Sequence, residues 1–160
     1  MMFSGRVFKV GKFWAVEVPL LGETSQGHNR GEALEMIADA IESLVDKKGF
    51  KVLVNSGEGE HFEVGSDDLA TLISFLLRRI RQREGVSLAE AAKMLGATSV
   101  NSYARYEQGA SVPSAAKLFD LLTAITHGSD FLIEESRYRT PRRPEGRNAQ
   151  GFKTGHAAVR

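Results

Sequence analysis

The hydrophobic period of this chain changes once, and the change limits what it can fold into. From Asp67 to about Ile125 apolar residues recur every three or four positions, which is the period of a helix. Before Asp67 the pattern alternates near period two on both sides of a single helical segment. Strands and one helix followed by helices alone predict an α+β unit, an antiparallel sheet plus one helix, and then an all-α unit. A length of 160 residues suits one domain or two small ones. The change of period favours two, over residues 1–66 and 67–136, with residues 137–160 as a tail.

In "RVFKVGKFWAVEVPLL" the apolar set is Val7, Phe8 and Val10, then either Phe13 and Ala15 or Trp14, Val16 and Val18, with Gly11-Lys12 as a hairpin signal between them. Pro19 ends the second run, and a short third strand is expected around Thr24 to Gln26, between Gly22 and Gly27. "HNRGEALEMIADAIESLVDKKG" predicts a helix. Asn29 stands at the N-cap with Glu32 at capping-box spacing, and Leu34, Ile37, Ala38, Ile41, Leu44 and Val45 form one apolar stripe. Glu35, Asp39, Glu42 and Asp46 fall on the side expected to face water, and Lys47-Lys48-Gly49 suits a helix C-terminus. "FKVLV" and "HFEVG" predict two further strands around the loop "NSGEGE".

In "DDLATLISFLLRRIRQREG" Leu69, Leu72, Ile73, Leu76, Leu77 and Ile80 share a broad face, and Gly85 closes the helix. Ser87 caps "LAEAAKML", Gly96 turns the chain, "VNSYARYEQG" is a further helix, and Pro113-Ser114 opens "AAKLFDLLTAI". Arg78, Arg79, Arg81 and Arg83 have two readings, phosphate contacts or solvated charges at a helix C-terminus, and the second is favoured for at least half of them.

The charge balance is uneven. Residues 1–66 carry 7 Lys/Arg against 10 Asp/Glu, residues 67–136 carry 7 against 9, and residues 137–160 carry 7 against 1. The tail "RYRTPRRPEGRNAQGFKTGHAAVR" lacks apolar periodicity and is expected to be disordered, either extending a DNA footprint or simply keeping the chain soluble. Apolar content of 42% and charge of 26% are ordinary for a globular protein. The absence of cysteine excludes disulfides, thiolate metal sites and a cysteine nucleophile. No apolar run reaches the ~18 residues of a membrane span, and the N-terminus lacks the apolar stretch of a signal peptide, so a soluble cytoplasmic protein without membrane association is expected.

Catalysis is disfavoured. A two-metal phosphodiesterase site needs several carboxylates converging on one face, whereas Glu17 is the only acid in a clear strand, and Asp39, Glu42 and Asp46 read as a solvated helix face. His28, His61, His127 and His156 lack metal-ligand spacing. No catalytic residue, metal or cofactor is expected.

A helix-turn-helix needs a small residue where its helices cross and a tight turn between them. Ala91, Ala92 and Gly96 supply these, and Leu88, Leu95 and Tyr103 are spaced to hold the pair together. The arrangement would present Val100, Asn101, Ser102 and Arg105. Asn and Arg pair with adenine and guanine edges, and Ser and Thr suit phosphates. Spacing alone leaves a reading helix and a packed bundle level.

The wider sequence resembles a known family. "VSLAEAAKMLGATSVNSYARYEQGASVPS" is similar to the Cro-like (XRE) helix-turn-helix family through Ala92, Gly96, Tyr106-Glu107-Gln108-Gly109 and Pro113-Ser114, with one extra residue between Gly96 and Gly109. The resemblance spans roughly residues 69–125. With a DNA-binding reading favoured in this way, the exposed positions and their chemistry point to DNA contact by Asn101, Ser102 and Arg105, with Thr98 and Ser99 near phosphates. That reading also implies a dimer or higher homo-oligomer, since one recognition helix covers only a half-site.

The N-terminal third, "WAVEVPLLGETSQGHNRGEALEMIADAIESL", resembles the HicB antitoxin family at Pro19, Leu21-Gly22, Gln26-Gly27 and Glu32-Ala33-Leu34. Glu23 stands where that family often has cysteine. This resemblance implies a degenerate RNase H-like fold that binds and masks a HicA-type RNA-cleaving toxin, in a protein that represses its own operon by binding operator DNA. The alternative is a stand-alone XRE-type transcription regulator whose N-terminal domain binds a ligand or another protein.

Overall fold

The computed structural model describes residues 1–138. The element order is β1 (Met2–Val10), β2 (Phe13–Val18), β3 (Glu23–Gly27), α1 (Arg30–Val45), β4 (Leu53–Ser56), β5 (His61–Gly65), α2 (Leu69–Arg83), α3 (Leu88–Met94), α4 (Val100–Glu107) and α5 (Ala115–Ile125). The N-terminal part is thus a five-stranded sheet with one helix, and the rest is helical. Strand order is β3-β2-β1-β5-β4, antiparallel at every pairing.

The β1–β2 hairpin turns at Gly11-Lys12 and pairs Val7 with Val16. That register selects between the two phases of the second strand. Val16 and Val18 are buried and Phe13 is exposed, so the Trp14 phase faces inward. Phe3, Val7, Phe62 and Val64 join them, and Ala33, Leu34, Ile37 and Ile41 of α1 complete this part of the core. Each large apolar side chain taken from water here contributes about 1.5–3 kcal/mol.

Two details of α1 differ from the sequence expectation. Leu44 is 42% exposed although it sits in the apolar stripe. At about 100° per residue Leu44 falls within the arc of the buried Ala33, Ile37 and Ile41, so its exposure follows from its place in the last turn of α1 and not from its phase. Glu42, expected to face water, is only 20% exposed. It accepts bonds from Lys51 Nζ (2.6 Å) and the Val52 N–H (2.9 Å), which hold its carboxyl below the usual range and tie α1 to the approach to β4. At the other end Asn29 caps the Glu32 N–H (2.9 Å), while the Glu32 carboxylate accepts from the His28 N–H (2.8 Å), one residue before the position a capping box would use.

The buried cluster runs without a break from the sheet into the helices: Leu72, Ile73, Phe75, Leu76, Leu77 and Ile80 of α2 belong to it, as do Tyr103, Leu121, Leu122 and Ile125. Polar contacts reinforce the junction. Asp68 caps α2 through the Thr71 N–H and also accepts from Lys47 Nζ (2.7 Å) and Thr71 Oγ1 (2.7 Å). Lys47 first, and then Thr71, hold the Asp68 carboxyl down to about 2.

Each arginine of α2 has a partner within the protein, which corrects the expectation of free side chains, although Arg83 remains 43% exposed. Arg78 donates to Leu44 O (2.9 Å), and Arg79 pairs with Glu23 and reaches Leu21 O (3.4 Å). Arg83 donates to Pro19 O (3.2 Å) and Leu20 O (3.3 Å). The physical reason is that α2 lies against the β2–β3 connection and the end of α1, where carbonyls outside the sheet ladder, such as those of Leu20, Leu21 and Leu44, are open to donors.

After α5 the chain returns to the sheet. Arg137 N–H donates to Glu63 (2.9 Å), as does Ser136 Oγ, and Tyr138 OH donates to His61 O (2.9 Å) with its ring stacked on the imidazole at 6.0 Å. Glu63 is only 5% exposed. Burial pushes its carboxyl up, but the bonds from Ser136 and Arg137, with the His61 ring nearby at 3.7 Å, prevail and its net shift is downward. Residues 139–160, where most of the expected disordered basic tail falls, lie outside the described residues.

Candidate nucleic-acid interface

The capped helix α3 begins at Ser87, whose hydroxyl accepts from the Glu90 N–H (3.2 Å) while the Glu90 carboxylate accepts from the Ser87 N–H (2.8 Å). Ala91 and Ala92 are fully or nearly fully buried, so at the middle of α3 only methyl groups separate it from α4 and the two helices approach closely. Gly96 ends α3 with φ +67°, a left-handed conformation that a side chain would strain. Ser99 then caps α4, accepting from the Asn101 N–H (3.3 Å).

One side of α4 is anchored. Tyr103 is completely buried and Ala104 nearly so, with Leu88 and Leu95 partly buried around the same core. The far end is clamped by Glu107, which accepts from Arg81 Nε (2.6 Å) and from a second guanidinium nitrogen (2.9 Å), while Arg81 also donates to Val86 O (2.8 Å). Both side chains are largely buried, at 14% and 8% exposure. This two-point bond joins the end of α4 to the end of α2 and raises the Arg81 pKa further. Burial, with the Glu107 carboxylate beside it, raises that of the Tyr103 hydroxyl.

The other side of α4 is open. Thr98, Ser99, Asn101, Ser102 and Arg105 are all exposed, as is Val100. At about 100° per residue Asn101, Arg105 and Ser102 fall within a single ~100° arc, away from the buried Tyr103. The side chains of these three make no hydrogen bond among the described residues. The structure therefore brings every residue singled out from the sequence to one exposed region at the start and outer side of α4, and the extra residue after Gly96 leaves Tyr103 in the core. Sequence reasoning missed the Arg81–Glu107 clamp. The Tyr-Glu-x-Gly segment was visible, but its partner lies 26 residues earlier, and no local pattern names it.

Among the described residues no group of three or more His, Cys, Asp or Glu side chains converges on a metal-sized site. Also among the described residues, no helix is long and apolar enough to cross a membrane.

Two short helices around a glycine turn, with the second anchored on one side and unencumbered on the other, define the helix-turn-helix class of DNA-binding domain. Comparison with known families agrees: residues 73–126, from within α2 to just past α5, match the family described as helix-turn-helix domain. Searches among curated proteins and among solved structures find no match to the chain.

Proposed function

We propose that the chain is a sequence-specific DNA-binding regulator and, more narrowly, a cytoplasmic antitoxin that masks a HicA-type RNA-cleaving toxin and represses its own operon as a homodimer or higher homo-oligomer. The observation that carries the DNA-binding part is the unspent polar face of α4. Asn101 and Arg105 offer bidentate donors and acceptors for base edges, Val100 an apolar contact for a thymine methyl, and Thr98, Ser99 and Ser102 hydroxyls for phosphates. The chain works by binding rather than catalysis.

The antitoxin part rests on the HicB-like order of motifs, which fall on a coherent stretch of the fold. Pro19 and Leu21-Gly22 form the β2–β3 connection, Gln26-Gly27 end β3, and Glu32-Ala33-Leu34 form the first turn of α1. Co-expression with the reading frame adjoining its own tests this part. The antitoxin reading expects a very short basic protein there, co-purification of the two, and relief of that protein's growth inhibition. If the chain neither binds its neighbour nor relieves inhibition, while still binding DNA, the stand-alone regulator is the correct reading.

A further inference from the structure

A crevice of about 400 Å³ lies where the two halves of the chain meet, between the end of α1, one side of α2 and the end of α4. Its floor is the row Ala70, Ser74 and Arg78, four residues apart and so on one side of α2. The hollow exists because the side chains at 70 and 74 are small and position 109, just past α4, has none. Gly109 takes φ +70°, and a Cβ there would meet Ser74 Oγ at 3.3 Å, so the end of α4 rests directly on α2 beside the opening. The volume falls in the range of small-molecule sites, about 300–1,000 Å³.

The crevice is positive. Lys47 and Arg78 are the cations along it, and Glu107, the one carboxylate among its described lining residues, is committed to Arg81 through both oxygens. Lys47 is paired with Asp68, whereas Arg78 forms no ion pair among the described residues. Its guanidinium stands over the Phe75 ring at 5.7 Å and donates one hydrogen bond, from a terminal nitrogen to Leu44 O (2.9 Å). Nε and the other terminal nitrogen have no partner among the described residues. A planar fork with donors left over fits an oxyanion. We propose that this crevice binds a small oxyanion, a carboxylate or phosphate group on a short apolar body flanked by Val45 and Ala70, and that its occupancy steadies the end of α4 and so favours DNA binding. A ligand there touches α1, α2 and the residues that close α4, which joins the N-terminal half to the reading helix. The effect on DNA rests on the DNA-binding reading above; the capture of the oxyanion does not.

The experiment is calorimetric titration of the full chain with inorganic phosphate and with butyrate, in chloride buffer at constant ionic strength, beside two full-length variants. Arg78→Gln removes the guanidinium, and Ala70→Leu fills the hollow while leaving every charge in place. The parent is expected to saturate with at least one probe at a Kd of about 1 mM or below, and both variants to bind it about tenfold or more weakly. The tighter probe assigns the oxyanion as phosphate or carboxylate. A gel shift on a duplex from upstream of the chain's own reading frame then reads the coupling: saturating probe should raise the parent's DNA affinity about fivefold and leave that of Ala70→Leu unchanged. No saturable binding by the parent would overturn the site, as would equal binding by the variants, which would mean adventitious ions only; if circular dichroism shows one variant unfolded, the other decides. Saturable binding at the crevice with unchanged DNA affinity would overturn the coupling. Failure of the parent to bind the duplex with or without probe would instead overturn the DNA-binding reading, while the calorimetry still decides the site.

Discussion

Glu107 sits near the open face of α4 and yet has no access to DNA. Its carboxylate is largely buried and committed to Arg81, so its role is to hold the end of α4 against α2. A buried pair of this kind adds little net stability over a well-packed apolar pair, but removing one partner strands the other charge. Glu107→Ala should therefore cost about 3 kcal/mol or more of unfolding free energy, read from urea denaturation. A loss below about 1 kcal/mol would mean that Arg81 finds another partner or water. Arg105, two residues earlier, contrasts with it. It is exposed and outside any ion pair among the described residues, and its replacement should leave stability nearly unchanged.

At the scale of elements, most of the fold was legible because it is written in local chemistry. The two-residue hairpin at Gly11-Lys12, the caps Asn29, Ser87 and Ser114, and the glycine at 96 each fix an element within a few residues of themselves. What local chemistry does not carry is the partner of a side chain far along the sequence. The four arginines of α2 look like a solvated helix end, and only the tertiary positions of the β2–β3 connection, the end of α1 and Glu107 show what Arg79 and Arg83, Arg78 and Arg81 donate to. Asp68 shows both aspects. An acid just before Leu69 suits a helix start, but that Asp68 caps α2 and bonds Lys47, 21 residues away, is seen only in the fold. That bond has a pH signature. The folded pKa of Asp68 lies below its unfolded value near 4, so the ionised form favours folding; the contribution is present above pH ~4 and is lost as pH falls toward about 2. Asp68→Asn keeps a capping side chain and removes the charge. The variant should be less stable than the parent at pH 6, and the difference should shrink between pH 4 and 2 in thermal melts. A difference independent of pH over that window would mean that the charge on Asp68 plays no part.

Across the whole molecule, sheet and helices share one buried cluster, and α2 belongs to both halves: its apolar side enters the core, and its arginines hold the N-terminal connection and the end of α4. The sequence marked where the hydrophobic period changes; it did not show that the core continues across that point, because the packing of two elements depends on shape rather than period. The consequence for function is that α4 is presented from a rigid support, with Tyr103 and the Arg81–Glu107 clamp beneath it and Asn101, Ser102 and Arg105 above. The central claim is that this face reads DNA. Its most direct test is the affinity of the double variant Asn101→Ala, Arg105→Ala for the upstream duplex, measured by gel shift beside the parent chain, with circular dichroism and melting temperature recorded for both. Two lost base contacts at about 1–3 kcal/mol each should weaken binding by roughly thirtyfold or more and erase most of the preference over a scrambled duplex, with the fold unchanged. Unchanged affinity and preference in a variant that remains folded would contradict the claim.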